Sequence, residues 1–87
     1  MIDSNKNIKN QEVIYNDEIS FNILGKQINL LCEEINGIKY TVANFDRYYY
    51  HLGNVKPNIH SAVKFYQIYF KVNLYKNIIS EIIEKNK

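Results

Sequence analysis

The fold is decided by residues 27–44, which read QINLLCEEINGIKYTVAN. The dipeptide Asn36-Gly37 separates two runs of β-type residues. Both central positions of a type I′ turn need a positive φ, which Asn and Gly adopt readily, so this dipeptide predicts a two-residue β-hairpin. In that hairpin Ile35 lies opposite Ile38. The further predicted pairs are Glu34 with Lys39, Cys32 with Thr41, Leu30 with Ala43, and Ile28 with Phe45.

A second two-residue turn is predicted at Gly25-Lys26, because Gly in the first position suits a type II′ turn. This turn places Ile23 opposite Ile28. Since side chains alternate along a strand, the two turns together predict a three-stranded antiparallel meander over residues 18–45 with one buried face. The further pairs are Phe21 with Leu30 and Ile19 with Cys32. The predicted buried face consists of Ile19, Phe21, Ile23, Ile28, Leu30, Cys32, Ala43 and Phe45, with Thr41 as its polar member.

The second face of the predicted sheet mixes polar and apolar residues. Its polar members are Ser20, Asn22, Gln27, Asn29, Glu33 and Asn44. Its apolar members are Leu31, Ile35, Ile38, Tyr40 and Val42. A contiguous apolar patch on such a face marks a partner surface. Alternatively Val13 or Tyr15 covers these side chains, if residues 12–15 form a short extra strand. Both interpretations stay open.

The second half of the chain is predicted to be helical. Residues 46–52 are interpreted as a short helix, because Asn44 and Asp46 can cap its start and Gly53 can end it. Three adjacent tyrosines, at positions 48–50, cannot all face a core from one helical turn, so at least one ring is expected to be exposed.

Residues 58–72 and 74–85 carry apolar side chains at helical spacing. Asn58 is expected to cap the first of these helices. The apolar stripe changes phase near residues 72–74, which favours a break, with Asn73 capping the second helix. One continuous helix is the alternative. The predicted fold is therefore an α+β domain with two or three helices packed on one face of the sheet.

The chain length of 87 residues favours one domain, expected over residues 12–87, after a polar and disordered tail over residues 1–11. The first residues lack the apolar run of a signal peptide, and no window reaches the roughly 18 apolar residues of a membrane span. A lone cysteine, Cys32, excludes an internal disulfide and a multi-cysteine metal site. These features predict a cytoplasmic protein.

Catalytic patterns are missing from the sequence. Its three glycines are single and distant, which argues against a phosphate-binding loop. His51 and His60 do not have the spacing of zinc ligands. Glu33 and Glu34 are neighbours on a strand and point to opposite faces, so they cannot form a carboxylate pair. We therefore expect no enzyme, no cofactor and no metal.

The leading hypothesis is a non-enzymatic protein-binding module, such as a small inhibitor that occludes a partner protein. The mixed second face and the tyrosine run resemble interface cores, which are rich in aromatic residues and poor in charge. An abundance of Asn, Ile, Lys and Tyr with a single arginine fits A/T-rich coding. That composition fits a phage, a plasmid or a low-GC bacterium, and by analogy it suits small accessory proteins of phages and plasmids, including inhibitors of host defence. The interface candidates are Leu31, Ile38, Tyr40, Val42, Tyr48, Tyr49 and Tyr50.

Nucleic-acid binding is the alternative hypothesis. Residues 1–46 carry four Lys against seven Asp or Glu, whereas residues 47–87 carry seven Lys or Arg against two Glu. Such asymmetry indicates a basic surface on the second half. A net charge of only +2 and one arginine argue against strong binding. The nucleic-acid candidates are Arg47, His60, Lys64, Gln67, Lys71 and Lys76.

Self-association is a third hypothesis, compatible with either of the others. An apolar stripe near the end of the chain exceeds what one small core is expected to cover, so it could form the seam of a homodimer. Its candidates are Ile78, Ile79, Ile82 and Ile83.

Overall fold

The computed structural model describes residues 14–87, with side chains from residue 18 onward. A four-stranded antiparallel sheet in the order β1-β2-β3-β4 is followed by two helices. The α+β class is thus confirmed, with four strands where three were predicted. The tail predicted over residues 1–11 lies outside the described residues. The elements are β1 (Ile14–Ile23), β2 (Lys26–Ile35), β3 (Ile38–Phe45), β4 (Tyr48–Gly53), α1 (Ile59–Phe70) and α2 (Lys76–Lys85).

The central hairpin forms as predicted. Asn36 and Gly37 both have positive φ, 53° and 82°, and Ile35 pairs with Ile38. The predicted pairs Glu34–Lys39, Cys32–Thr41 and Leu30–Ala43 are also present. The turn therefore determines the register between β2 and β3.

The first hairpin turns one residue earlier than predicted. Its turn residues are Leu24 and Gly25, with φ of 50° and 86°, so Ile23 pairs with Lys26. The backbone N–H of Gly25 donates to the side-chain oxygen of Asn22 at 3.0 Å, which supports this turn. The predicted pairs Ile23–Ile28, Phe21–Leu30 and Ile19–Cys32 were wrong by two residues, because the turn has two positive-φ positions and includes Leu24. A shift of two leaves every side chain on its predicted face.

The helix predicted over residues 46–52 is wrong. Asp46 and Arg47 have φ of 52° and 67° and form a third two-residue turn, after which β4 pairs with β3. Strand pairing gives the backbone N–H and C=O groups of this segment hydrogen-bond partners. It also gives Tyr50 and Leu52 a place against the core that a helix would not provide.

The short extra strand considered over residues 12–15 is a strand at positions 14 and 15, but it is the start of β1 and does not stand alone. Ile14 and Tyr15 begin β1 itself and pair with Glu34 and Glu33. The register shifts between Tyr15 and Glu18, which marks a bulge. Residues 12 and 13 lie outside the described residues.

The predicted break between the two helices is confirmed. Lys71 adopts the left-handed conformation, and its N–H and that of Val72 donate to carbonyls of the last turn of α1. The side chain of Gln67 accepts from the N–H of Leu74 at 2.7 Å, which fixes the linker. Asn73 does not cap α2, whose N-cap residue is Tyr75. The Asn58 cap on α1 is confirmed, because its side chain accepts from the N–H of Ser61 at 3.0 Å.

The core lies between the sheet and the two helices. Its buried side chains are Ile23, Ile28, Leu30 and Ala43 from the strands, Ala62, Val63 and Phe65 from α1, and Ile82 from α2. Asn86, at the end of α2, accepts from the N–H of Asn22 at 2.9 Å and donates to its carbonyl at 2.8 Å. This pair of bonds joins the end of α2 to the first hairpin.

The conformation of Leu24 predicts a stabilising substitution. A left-handed backbone costs an ordinary residue about 1–2 kcal/mol, whereas Asn visits it readily. The Leu24 side chain is also about half exposed, so little burial is lost. Leu24→Asn should therefore raise the free energy of unfolding by about 1 kcal/mol and the Tm by several degrees, measured by circular dichroism. Leu24→Val is the control and should lower the Tm, because β-branched residues disfavour positive φ. A lowered Tm for Leu24→Asn would contradict the turn.

The bonds of Asn86 predict a destabilising substitution. Asn86→Ala removes both bonds to the backbone of Asn22 and should lower the free energy of unfolding by about 1–2 kcal/mol in urea denaturation. Asn77→Ala, at an exposed position of the same helix, serves as the control and should change it by less than about 0.5 kcal/mol. Equal stabilities of the two variants would show that this contact does not hold α2.

Candidate functional site

The candidate site is a groove of about 570 Å³ between β4 and α1. Helix α1 packs mainly over β1 and β2, which leaves the β4 side of the same sheet face open beside it. The groove is lined by Tyr50, His51 and Leu52 from β4, Val55 from the following loop, and His60, Ser61, Lys64, Phe65, Ile68 and Tyr69 from α1.

Three aromatic rings form the floor of the groove. Tyr50 lies 5.3 Å from Phe65 and 5.5 Å from Tyr69, and Phe65 lies 5.6 Å from Tyr69, measured between ring centroids. Phe65 is buried, so the floor is continuous with the core. Mutual ring contacts of this kind stabilise one arrangement of the rings. The floor is therefore preformed and largely apolar.

The hydroxyl of Tyr69 connects the floor to the third turn. It donates to a carboxylate oxygen of Asp46 at 3.3 Å. A hydrogen bond with Tyr50, followed by desolvation, raises the pKa of Tyr69 above its ordinary value. Tyr69 is therefore a neutral hydrogen-bond donor at physiological pH.

The rim of the groove exposes aliphatic side chains. Ile68 is 65% exposed and Val55 is 43% exposed. Tyr48, also exposed, lies 6.3 Å from Tyr50 between ring centroids. Exposed apolar groups beside a concave apolar surface are typical of an interaction site.

Of the described residues that line the groove, Lys64 is the one Lys, Arg, Asp or Glu side chain. Lys64 and His60 lie exposed on the outer side of α1. The sequence from residue 47 to residue 80 contains no Asp or Glu, while it contains Arg47 and four lysines. Asp46, just before this stretch, accepts a hydrogen bond from the Tyr69 hydroxyl at one end of the groove. The Lys64 end of the groove therefore favours an anionic group, whereas the Asp46 end does not.

The structure brings only part of the predicted protein interface together. Tyr50 lies in the groove floor and Tyr48 beside it, whereas Tyr49 is exposed on the opposite face of β4. Ile38 is exposed at the central turn, away from the groove. Leu31 and Val42 were expected on the second, solvent-facing side, but they are buried, at 9% and 1% exposure.

The second sheet face also contains a contact between a carboxyl group and an imidazole. Glu33, predicted as a surface residue, is 5% exposed, and its carboxylate lies 3.2 Å from Nε2 of His51. The Tyr40 ring, half-buried, packs edge-on against His51 at 6.5 Å between centroids. This face is therefore more enclosed than its sequence pattern indicates.

The predicted nucleic-acid residues are scattered. Of the six, His60 and Lys64 line the groove. Gln67 is half-buried and binds the linker, Arg47 belongs to the third turn, and Lys71 caps α1. Lys76 begins α2 and is exposed.

The predicted self-association stripe mostly faces inward. Ile82 is buried in the core, and Ile78 and Ile79 are half-buried against it. Ile83 is half-buried. Most of this stripe on α2 therefore packs against the core of the same chain.

The sequence pattern did not predict four members of the site, which are Leu52, Val55, Phe65 and Ile68. Recognising the groove requires β4 to be a strand, and that segment was predicted as a helix. One signal was present in the sequence. Ile68 is an isolated aliphatic residue between Lys64 and Lys71 on the otherwise polar side of α1.

A second, smaller cavity of about 310 Å³ lies near Cys32, with Lys39 and Lys56 among its lining. Cys32 is half-buried there, although it was expected on the buried face. Thr41 donates from its hydroxyl to the carbonyl of Val55, which ties the loop after β4 to the sheet. Among the described residues, no group of three or more His, Cys, Asp or Glu side chains is placed to hold a metal ion. Neither helix within residues 14–87 has the length and apolar character needed to cross a membrane.

Comparison with protein-family models, with curated proteins and with solved structures gives no match to this chain.

The influence of Tyr50 on the pKa of Tyr69 makes the contact between these two rings testable by titration. Tyr50→Phe keeps the ring but removes the hydroxyl, so the pKa of Tyr69 should fall toward its ordinary value of 10.0. The pH dependence of the Tyr69 ring resonances in NMR measures this change. Tyr66→Phe, on the same helix, is the control and should leave the Tyr69 titration unchanged. An unchanged Tyr69 pKa in Tyr50→Phe would show that the Tyr50 hydroxyl does not act on Tyr69.

Proposed function

We propose that this protein is a non-enzymatic module that binds another protein, and that the groove between β4 and α1 is the contact surface. The observation that carries the proposal is the exposure of Ile68 and Val55 on the rim of a preformed apolar groove of about 570 Å³. Small-molecule sites commonly have volumes of about 300–1,000 Å³ and apolar, aromatic linings, and a groove of this size can also hold an anchoring side chain of a protein partner.

The groove has the features of an interface anchor site. Burying a side chain such as Ile68 completely gains about 1.5–3 kcal/mol relative to leaving it exposed. Aromatic residues such as Tyr48 and Tyr50 are enriched at positions that carry most of the binding energy. A partner that covers the rim would therefore gain affinity from few residues.

The mode of action proposed is occlusion of a functional surface on the partner. This extends the sequence-based hypothesis of a small inhibitor or accessory protein of a phage or plasmid, directed against host defence. The A/T-type composition is compatible with that assignment and equally with a low-GC bacterium.

Nucleic-acid binding is less well supported by the groove. Bases bind single-strand proteins by stacking on aromatic faces. Here Tyr50, Phe65 and Tyr69 pack against one another, and the most exposed rim residues, Ile68 and Val55, are aliphatic. Such a rim suits an apolar side chain of a protein better than a base.

The proposal is tested by selecting peptides that bind the groove. A displayed library of random dodecapeptides is selected on the immobilised protein, and the enriched pool is tested on two variants. Ile68→Glu should reduce pool binding at least about tenfold, a loss of roughly 1.4 kcal/mol, because it places a charge on the apolar rim. Its Tm should stay close to that of the unmodified protein, since the side chain is 65% exposed.

Ile38→Glu is the matched control, with the same chemical change at an exposed position away from the groove. It should retain pool binding. Equal binding to both variants would overturn the assignment of the groove. Fluorescence anisotropy with labelled DNA and RNA at about 50 and 200 mM salt tests the alternative. Saturable binding that falls steeply with salt and is lost in Ile68→Glu would favour nucleic acid.

A further inference from the structure

We infer that the occupant of the groove is an extended acidic segment, with two carboxylates and one apolar side chain at alternating positions. This inference rests on the proposed function of the groove and specifies the chemistry of its partner.

Helix α1 presents two parallel rows of side chains to the groove. The inner row is Ser61, Phe65 and Tyr69, of which Phe65 is buried and the other two are half-buried. The outer row is His60, Lys64 and Ile68, and all three are exposed. Residues four apart lie on one face of a helix, so each row is continuous. The inner row builds the floor, and the outer row is available to a ligand.

The outer row has a defined chemical order. A ligand lying along α1 meets an imidazole, then an ammonium group, then an aliphatic side chain. A carboxylate is the complement of the Lys64 ammonium group, and a second carboxylate can accept a hydrogen bond from an imidazole N–H of His60. An apolar side chain is the complement of the third position.

The spacing of the outer row matches an extended chain. Residues four apart in a helix rise by about 6 Å along its axis. Side chains two apart in a strand point to the same side and are separated by about 6.6 Å. An extended segment can therefore place every second side chain against His60, Lys64 and Ile68 in turn. In one chain direction the sequence pattern is acidic, any, acidic, any, apolar, and in the other it is the reverse.

Electrostatic complementarity supports the acidic positions. No Asp or Glu occurs between residues 47 and 80, so a carboxylate at Lys64 meets no like charge from this stretch. Asp46 lies at the Tyr69 end of the groove and accepts the Tyr69 hydroxyl. An acidic residue is thus best placed at the His60 and Lys64 end, and the apolar residue at the Ile68 end.

The first test is the sequence of the peptides selected on the unmodified protein. We expect Asp or Glu two and four residues from a Leu, Ile, Val or Phe. A synthetic peptide with this pattern is then compared with its Asn and Gln counterpart by fluorescence anisotropy. We expect the neutral counterpart to bind at least about tenfold more weakly. We also expect the acidic peptide to lose affinity as salt is raised.

A charge exchange provides the sharpest control. The Lys64→Glu protein should bind the acidic peptide at least about tenfold more weakly than the unmodified protein does. It should bind more tightly to a counterpart peptide that carries Lys at the position facing residue 64. Lys71→Glu makes the same change at the end of α1, outside the groove lining, and should alter affinity less than about twofold.

The outcomes separate the two proposals. Selected peptides without acidic residues that still lose binding in Ile68→Glu would overturn the acidic pattern and leave the protein-binding groove standing. Undiminished binding of the acidic peptide to Lys64→Glu would overturn the pattern in the same way. A pool that binds Ile68→Glu as well as the unmodified protein would overturn both. Displacement of the peptide by single-stranded DNA at low salt, with tighter DNA binding than peptide binding, would assign the groove to nucleic acid.

Discussion

The left-handed backbone at both residues of each tight turn is the constraint on which the sheet depends. The three turns, at positions 24–25, 36–37 and 46–47, each hold two consecutive residues at positive φ. Turns of this kind match the right-handed twist of antiparallel strands and keep the two strands paired up to the turn itself. Because a hairpin turn fixes register, these six backbone conformations decide which side chains face the helices.

The groove follows from the third of these turns. Asp46 and Arg47 reverse the chain directly after β3, so β4 lies beside β3 with Tyr50 opposite Ala43. Alternation then places Tyr50 on the same side of the sheet as α1. Since α1 packs chiefly over the first two strands, β4 and the helix stand apart, and the space between them is the groove. A helix over residues 46–52 would have removed both its wall and part of its floor.

The strand register was predicted correctly where a turn signal and the alternation of apolar side chains indicated the same pairing. Asn36-Gly37 is a strong turn signal, and the alternation beside it confirmed the same pairing. Leu24 carries no such signal, so the first turn was placed one residue late. The assignment of faces survived because an error of two residues preserves alternation. Asp46-Arg47 lacks glycine, and its surroundings contain polar residues that also suit a helix cap. That ambiguity hid β4 and, with it, most of the candidate site. His60 and Lys64 were found because a helical period of 3.6 places them together whatever the helix packs against.

The two rows of side chains on α1 differ in what they contribute. The inner row packs against the sheet and stabilises the fold, whereas the outer row is exposed. Phe65 in the inner row is buried among the rings that join the helix to the sheet, so its replacement would disturb the fold. Lys64 and Ile68 in the outer row are exposed, and folding places little demand on their identity. Solvation alone would favour a polar residue at position 68, four residues beyond a lysine and on the same face. The Ile68 side chain is instead 65% exposed and borders the apolar groove. Under the proposed function, a partner that covers the groove would remove this side chain from water.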